Sequence, residues 1–362
     1  MPVGPQREPL TMLQRIEGHV GRLFSRVPGP LLLRLFGEQP HVVDGRTLDP
    51  HVQVVLKVQK RKRKYGMCEP SVEAGRRRYR REVQGAAPPP TVVGAVRELR
   101  MRSAAGDLEA RHYAPPGVHT QPLPTLVFFH GGGFVIGDLD THDEPCRLLC
   151  RDVGLHVVSV AYGLAPEHPF PAAVDDCCAA MHWVMDHVAE FGGDASRVCV
   201  GGDSAGANLA AVAALQLARE GRPLSAQLLL YPTTDARTKF PSRQRFASGY
   251  LLETRDMDAF QNLYFGADTK CDADPRASPL RATDLALSPP TLVVTAGFDP
   301  LRDEGRAFAD ALRAADVTVQ HIDFESLIHG FLHFTAVAPT AQLAMRELCL
   351  AFRAVTPRPE VA

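Results

Sequence analysis

From residue 91 onward, short apolar segments alternate with longer segments of helical periodicity, and this alternation restricts the fold more than any other feature of the sequence. The apolar segments predict eight strands, at residues 92–101, 108–113, 125–129, 156–162, 198–200, 226–231, 291–295 and 317–324. Helical patterns between and after them fall at residues 142–152, 172–191, 205–220, 302–314 and 340–352. Continuous apolar strands alternating with helices are typical of a largely parallel sheet covered on both faces. The expected fold class is therefore α/β.

Two segments lie outside this alternation and divide the chain into four parts. Residues 1–90 contain little β pattern and end in Pro88-Pro89-Pro90, which predicts a stiff linker. Residues 238–288 are polar, contain prolines and look like an insertion. We therefore expect a helical N-terminal segment over 1–90, a first core part over 91–237, an insertion over 238–288 and a second core part over 289–362.

The overall charge is balanced, which disfavours one broad class of function. The 362 residues include 40 Lys and Arg against 41 Asp and Glu, a formal net charge of −1. Such a chain has no global attraction to nucleic acid or to an anionic membrane. No apolar run approaches the roughly 18 residues of a membrane-spanning helix, and residues 1–25 lack the apolar core of a secretory signal. We therefore expect a cytoplasmic protein with no integral membrane association and no nucleic-acid partner.

Residues 57–81 are nevertheless strongly basic, with eleven Lys and Arg side chains. A tail that binds nucleic acid is one interpretation, and salt-dependent binding would test it. Amphipathic helices with solvated basic faces are the other, because Val52, Val55, Leu56 and Gln59 recur at helical spacing. The second interpretation is favoured because the chain as a whole is neutral.

The eight cysteines contain no CxxC pair, so reduced, buried thiols are expected rather than disulfides. His142, Cys146 and Cys150 recur every four residues and could share one face of a helix as metal ligands. No fourth ligand is apparent, and the apolar residues between them favour an ordinary packed helix. No metal or organic cofactor is therefore expected.

The sequence Gly202-Asp203-Ser204-Ala205-Gly206 lies between a predicted strand and a predicted helix. It matches the Gly-x-Ser-x-Gly nucleophile elbow, in which the serine occupies a sharp, strained turn and small neighbours let strand and helix approach closely. The N-terminal end of the following helix then directs N–H groups at developing negative charge. A glycine-rich turn without a catalytic role is the competing interpretation of this motif taken alone.

A second motif, His130-Gly131-Gly132-Gly133-Phe134, follows the predicted strand 125–129. It matches the glycine-rich motif that contributes to an oxyanion hole, where backbone N–H groups must face a substrate oxygen without an intervening side chain. A phosphate-binding loop is disfavoured because no Gly-Lys-Ser/Thr follows. His130 itself is expected to be structural.

An acid and a histidine follow later strands in the order that a serine nucleophile requires in an α/β-hydrolase. Asp299 follows strand 291–295 and His329 follows strand 317–324. Both positions lie at the carboxyl edge of the predicted sheet, where sites form in open α/β folds. Asp303 competes for the role of the acid, and His321 and His333 compete for that of the base. We favour Asp299 and His329 because each directly follows a strand.

These motifs as an ordered set resemble those of the hormone-sensitive-lipase-like family of α/β-hydrolases, the bacterial family IV carboxylesterases. The resemblance covers about residues 120–335 and includes Leu-Ala-Pro-Glu-His-Pro-Phe-Pro-Ala from residue 164 and Asp-Pro-Leu-Arg-Asp-Glu from residue 299. It implies an eight-stranded, mostly parallel sheet with a helical cap formed by the N-terminal segment and the insertion. The catalytic triad and oxyanion hole that it implies are Ser204, Asp299 and His329, with backbone N–H donors from Gly131, Gly132 and Ala205.

The implied activity is a serine carboxylesterase that hydrolyses short-to-medium acyl esters through an acyl-serine intermediate, and a homodimer formed through the last strand is a further expectation from the family. The sequence departs from the family at Ala161-Tyr162-Gly163-Leu164, where Asp-Tyr-Arg-Leu is usual, and at Ala207, where glycine is usual. A serine amidase or peptidase on the same fold remains an alternative. A non-catalytic small-molecule receptor is another, and the retained His329 argues against it.

Overall fold

The computed structural model describes residues 21–62, 65–103, 106–266 and 271–356. Its centre is an eight-stranded sheet. The strands are β3 (Ala95–Ser103), β4 (Gly106–Ala114), β5 (Leu123–Phe129), β6 (His156–Ala161), β7 (Gly193–Asp203), β8 (Ala226–Leu230), β9 (Thr291–Phe298) and β10 (Val319–Ile328). Their order across the sheet is β10-β9-β8-β7-β5-β6-β4-β3. Strand β4 is antiparallel to both of its neighbours, β3 and β6, and every other pairing in the sheet is parallel.

Helices cover both faces of the sheet, as the alternating pattern predicts. They are α4 (Asp143–Leu149, continued by a π-helical turn at Cys150–Gly154), α5 (Ala172–His187), α6 (Ala205–Arg219), α9 (Arg302–Ala314) and α10 (Pro339–Val355). Helices α5, α6 and α9 share one apolar cluster, and α4 and α10 share the other. Successive residues of the central strands alternate between the two: Val127 and Phe129 join the first, Leu126 and Phe128 the second. The predicted α/β fold is confirmed.

The described part of the N-terminal segment, residues 21–62 and 65–90, is mainly helical and lies against the core. Its elements are α1 (Gly29–Leu35), a two-residue hairpin of β1 (Val42–Val43) and β2 (Arg46–Thr47), α2 (Pro50–Lys62) and α3 (Val72–Ala86). Asp49 caps α2 by accepting the N–H groups of His51 and Val52, and its own N–H donates to the carbonyl of Ser326 on β10. The start of α2 is therefore fixed to an edge strand of the sheet.

The described residues of the insertion, 238–266 and 271–288, form two helices, α7 (Pro241–Arg245) and α8 (Thr254–Phe265), and three short 3₁₀ turns. A capping box between Glu253 and Asp256 begins α8. Asp256 also accepts the N–H of Met67 at 2.7 Å, so the insertion contacts the N-terminal segment. No helix of the described residues is long and apolar enough to cross a membrane.

The turn between β7 and α6 brings three stretches of backbone into direct contact. A Cβ atom placed on Gly202 or on Gly206 would overlap the carbonyl oxygen of Phe129 at the end of β5. Twelve of the fifteen residues of α6 are buried, which explains its run of alanines. Strand β5, the turn and α6 can pack at this distance only because both positions are glycine.

We therefore expect Gly206→Ala to destabilise the fold by about 3 kcal/mol or more, because its methyl group overlaps backbone that cannot move aside. Urea denaturation of the two proteins would measure the difference. Gly85→Ala in α3 is the matched control, since nothing lies within 4 Å of a Cβ atom at that position, and it should be neutral or slightly stabilising. Equal stability of Gly206→Ala and wild type would contradict this account of the turn.

Candidate active site

Ser204 occupies the sharp turn between β7 and α6 in a strained conformation. Its φ of 55° and ψ of −118° lie outside the regions that a non-glycine residue ordinarily adopts. The Ser204 N–H donates to Leu230 O of β8 at 2.9 Å, and Ser204 O accepts the N–H of Asn208 at 3.2 Å. Asn208 Nδ2 in turn donates to Thr233 O at 2.9 Å. Strand β8 and helix α6 therefore hold the turn from both sides.

The structure brings Ser204, His329 and Asp299 into one hydrogen-bonded series. His329 Nδ1 lies 2.8 Å from Asp299 Oδ2, and His329 Nε2 lies 3.0 Å from Ser204 Oγ. Because an ionised carboxylate can only accept, Nδ1 carries the imidazole proton and Nε2 presents its lone pair to the serine hydroxyl. This is the arrangement in which an imidazole can take a proton from a nucleophilic serine.

The three side chains differ in their access to solvent. Asp299 is fully buried and accepts the N–H of Leu301 at 2.7 Å, which fixes the carboxylate after β9. Ser204 and His329 are 9% and 8% exposed, so neither residue is completely shielded from solvent. The edge of the Tyr231 ring packs on the His329 ring with centroids 4.7 Å apart. The orientation of the imidazole is therefore fixed by its hydrogen bond to Asp299 and by its contact with the Tyr231 ring.

The competing acid and bases have other partners. Asp303 accepts a backbone N–H of α7 at 2.9 Å. His321 pairs with Thr295 Oγ1 at 2.9 Å, and His333 pairs with Tyr79 Oη at 3.0 Å. None of these contacts involves the serine hydroxyl. The geometry therefore favours the residues chosen from their positions at strand ends.

The glycine-rich loop differs in one respect from the expectation. The Gly131 N–H donates to Asp203 Oδ1 at 2.7 Å, so it is engaged with a carboxylate and is not free to meet a substrate oxygen. The prediction of Gly131 as an oxyanion donor is therefore not supported by the geometry. Among the described residues, no acceptor is found for the N–H groups of Gly132, Gly133 or Ala205. Gly132 and Gly133 have φ of 125° and 62°, values that favour glycine.

Asp203 is a buried carboxylate that supports the glycine loop from behind. Besides the Gly131 N–H, it faces His142 Nε2 at 3.1 Å and Tyr231 Oη at 3.4 Å. Burial alone would raise the pKa of Asp203, but His142, His333 and the Gly131 N–H lower it to about 2. Asp203 is therefore ionised at neutral pH and attracts the loop N–H as a charged acceptor.

One group of side chains in the described residues has the composition of a metal site. His142, Asp203 and His333 place ligand atoms within 4.8 Å of one another. The sequence pattern of His142 with Cys146 and Cys150 does not form a cluster of this kind, because His142 turns toward Asp203 and pairs its Nδ1 with Thr141 Oγ1 at 2.9 Å. The two cysteines are buried and free.

Aromatic side chains of the insertion cover the glycine loop, and the sequence alone did not identify them. A Cβ atom on Gly133 would overlap the ring of Phe260, which is 6% exposed. The ring of Tyr264, one helical turn further along α8, stacks on Phe134 with centroids 4.0 Å apart. Their spacing of four residues on an amphipathic helix is the only signal that could have indicated a common face.

Comparisons with known proteins agree with this geometry. Residues 126–333 match the model of a family described by the α/β-hydrolase fold. A carboxylic ester hydrolase, LipN, of Mycobacterium tuberculosis (strain ATCC 25618 / H37Rv) is 42% identical over 357 residues, which cover 96% of this chain and 94% of that protein. The chain belongs to the hormone-sensitive-lipase-like family of α/β-hydrolases. It is a carboxylic ester hydrolase.

Two further relatives extend the comparison. An ethyl acetate hydrolase of Pseudomonas putida is 40% identical to the esterase over 241 residues, 65% of this chain and 74% of that protein. The crystal structure of ester-hydrolase EH1AB1 from the metagenome of Lake Arreo, complexed with a derivative of bipyridine phosphonate, superposes with a TM-score of 0.81. That protein is 38% identical, and the match covers 85% of this chain and 98% of that one.

The esterase also contains a second buried carboxyl group near Asp299, outside the series of Ser204, His329 and Asp299. Glu304, in the first turn of α9, is 2% exposed and accepts the Thr234 N–H at 2.7 Å. Burial raises the pKa of Glu304 to about 8; the Thr234 N–H, the Thr233 hydroxyl and Arg243 oppose this shift, and Asp299 adds to it. Neutral Glu304 thus stabilises the loop at Thr233 and Thr234, whose backbone hydrogen-bonds to Ser204 O.

This raised pKa predicts a pH-dependent stability that Glu304→Gln should remove. An unfolded glutamate loses its proton near its ordinary pKa of 4.5, whereas the pKa of about 8 lets folded Glu304 keep its proton until about pH 8. The folded esterase therefore binds more protons in this interval, and its stability falls as the pH rises, by up to about 1.4 kcal/mol per pH unit.

Relative to wild type, Glu304→Gln should gain stability on going from pH 5 to pH 8.5, by a few kcal/mol in urea denaturation. Glu347→Gln, on the exposed side of α10, is the control and should follow the wild-type profile. Parallel profiles for Glu304→Gln and wild type would show that Glu304 is ionised across this range.

Proposed function

We propose that Ser204 is the nucleophile of this esterase, His329 its general base and acid, and Asp299 the residue that orients the imidazole. Ser204 Oγ attacks the ester carbonyl carbon while His329 Nε2 takes the hydroxyl proton. The tetrahedral intermediate then expels the alcohol, which receives that proton and leaves an acyl-serine. Water hydrolyses the acyl-serine by the same route, releasing the acid and restoring Ser204. The hydrogen bonds of 3.0 Å and 2.8 Å across His329 are the observation that supports this assignment.

The negative oxygen of both tetrahedral intermediates would be held by the backbone N–H groups of Gly132, Gly133 and Ala205. These three N–H groups have no acceptor among the described residues, and Ala205 begins α6, whose positive dipole end favours an anion. Loss of one such donor typically lowers the rate by ~10²–10³. Gly133 takes the place that the sequence suggested for Gly131.

The assignment predicts that Ser204→Ala abolishes hydrolysis of nitrophenyl acetate and that Asp299→Asn lowers kcat by about 10⁴, because an asparagine favours the wrong imidazole tautomer. Steady-state kinetics of both purified variants would measure these losses. Asp303→Asn is the control, since Asp303 contacts the backbone of α7 instead of His329, and its kcat should stay within a factor of three. A larger loss in Asp303→Asn than in Asp299→Asn would reverse the choice of the acid.

We also propose that the substrates are short-to-medium acyl esters and that residues 1–90 and 238–288 together form a cap over the site. The ring of Phe260 against Gly133 leaves little space beside the proposed oxyanion position. Leu251 of the insertion lies 3.7 Å from a Cβ atom placed on Gly330, next to His329. The hydrolysis of ethyl acetate by a relative is consistent with a small acyl group.

If Phe260 limits the acyl chain, Phe260→Ala should move the preference toward longer esters. Each additional buried CH₂ group is worth about 0.8 kcal/mol, so kcat/KM for the octanoate relative to the acetate should rise roughly tenfold or more. Nitrophenyl esters of two to ten carbons would measure the profile. Phe265→Ala is the control, because Phe265 packs on Phe170 and not on the glycine loop. An unchanged profile in Phe260→Ala would place the acyl group elsewhere.

Ester hydrolysis is favoured over the two alternatives raised by the sequence. The named relatives are ester hydrolases, which argues against an amidase or peptidase. The complete series from Asp299 to Ser204 argues against a non-catalytic receptor. A homodimer, a cytoplasmic location and the lack of a nucleic-acid partner stay predictions.

A further inference from the structure

One face of helix α3 lies against the segment that begins with the oxyanion glycines. We call residues 131–138 the oxyanion loop. Arg76, Tyr79 and Arg80 are three and four residues apart on α3 and therefore share a face. Arg76 and Arg80 make polar contacts to the oxyanion loop itself, and Tyr79 contacts His333. This helix belongs to the basic segment whose arginines the sequence analysis assigned to a solvated surface.

Arg76 joins the middle of the loop to a neighbouring segment. Its Nε donates to Val135 O at 2.8 Å, and its Nη2 donates to Ala165 O at 2.9 Å. The same guanidinium forms two hydrogen bonds to the Glu167 carboxylate, at 2.7 and 2.9 Å. The Ala165 N–H donates back to Phe134 O at 2.9 Å. The Arg76 guanidinium thus forms hydrogen bonds with both the oxyanion loop and the segment around Ala165, which also contact each other directly.

Arg80 holds the far end of the loop. Its Nε and Nη2 both lie 2.7 Å from Asp138 Oδ2. The other oxygen of Asp138 accepts the N–H groups of Asp140 and Thr141, at 2.9 and 2.8 Å, which makes a tight turn. Burial alone would raise the pKa of Asp138, but Arg80 and the Thr141 N–H hold it below its usual value. Arg80 therefore binds a carboxylate that is ionised and fixed in place.

Tyr79 reaches the beginning of the loop through a chain of polar side chains. Its hydroxyl lies 3.0 Å from His333 Nε2, and the His333 ring packs edge-on against His142. His142 Nε2 lies 3.1 Å from Asp203 Oδ1, the oxygen that accepts the Gly131 N–H. The beginning, middle and end of the loop are therefore each connected to α3.

The segment that Arg76 binds includes Gly163, a position at which this chain departs from the usual family sequence. The family usually has an arginine where this chain has Gly163, and Gly163 belongs to the segment that Arg76 binds through Ala165 and Glu167. A Cβ atom on Gly163 would lie 3.0 Å from Asp176 Oδ2 and from His168, so little space is left for a long side chain there. In this chain the guanidinium that binds the segment belongs to Arg76 of the N-terminal helix α3.

We propose that Arg76 and Arg80 of α3 are positioning residues that hold the oxyanion loop in its reactive conformation. The proposal rests on the assignment of Gly132 and Gly133 as oxyanion donors. A loop with three consecutive glycines has many accessible conformations, and its N–H groups stabilise the transition state only when they are aimed before the charge develops. Docking of α3 removes that freedom, so the N-terminal segment completes the catalytic site without touching the substrate.

The test compares Arg76→Ala and Arg80→Ala with Arg77→Ala, a matched control on the same helix. Arg77 is exposed and pairs with Glu73 within α3. Steady-state kinetics with nitrophenyl acetate at 25 °C, on variants that circular dichroism shows to be folded, would give kcat and KM separately. The rate at which a nitrophenyl phosphonate modifies Ser204 would report the same oxyanion contacts without turnover.

We expect kcat to fall about 10- to 100-fold in Arg76→Ala and about tenfold in Arg80→Ala, with KM changed less than threefold, because full loss of a donor costs ~10²–10³. Phosphonylation of Ser204 should slow by the same factors. Arg76→Lys should recover part of the loss, since a lysine restores the charge but not the forked donors. Arg77→Ala should match wild type.

A wild-type kcat in folded Arg76→Ala and Arg80→Ala, with only a lower melting temperature, would overturn the proposal and leave the arginines a purely structural role. If Arg76→Ala does not fold, Arg76→Lys and Arg80→Ala carry the test. Failure of the proposed function would look different: the phosphonate would then not modify Ser204 in the wild-type esterase, or Ser204→Ala would still hydrolyse the ester.

Discussion

The close backbone contact of Gly202 and Gly206 with the end of β5 is the constraint on which the site depends. It forces the chain to turn within one residue, and Ser204 occupies that residue with a φ of 55°. It also sets the beginning of α6 beside the glycine loop, which continues directly from β5. Packing of the main chain thus brings together Ser204, the positive end of the α6 dipole and the glycine loop, independently of the side chains of His329 and Asp299.

Two buried carboxylates near that turn form hydrogen bonds with different groups. Asp299, just after β9, lies 2.8 Å from His329 Nδ1. Asp203, at the end of β7, faces away from it and binds the Gly131 N–H. Each carboxylate is matched by an imidazole and by a backbone donor, which makes burial of its charge tolerable. Their separate partners explain why two acidic residues close to one serine do not compete for one role.

The sequence predicted the core well because its signals are local. All eight strands and five helices of the core were found to within a few residues, since continuous apolar strands and alanine-rich helices reflect burial on both faces. The hydrogen-bonded series of Ser204, His329 and Asp299 was expected because each residue follows a predicted strand. Gly131 was expected to be an oxyanion donor because the sequence of three consecutive glycines does not indicate which N–H group hydrogen-bonds to Asp203. Phe260 was missed because its contact with Gly133 joins residues far apart in the chain.

The basic residues of α3 are a second case in which contacts between distant parts of the chain could not be predicted from the sequence. A run of arginines is usually a solvated surface, and Arg77 fits that description. Arg76 and Arg80, on the same helix, instead bind carbonyls and carboxylates about 60 to 90 residues further along the chain. Composition cannot separate these cases, because a guanidinium satisfies its donors equally well with water, with a neighbouring glutamate or with a distant loop. The two kinds of arginine differ in the face of α3 on which they lie. Arg76 and Arg80 lie on the face that packs against the glycine loop, and that packing is defined only in the folded structure.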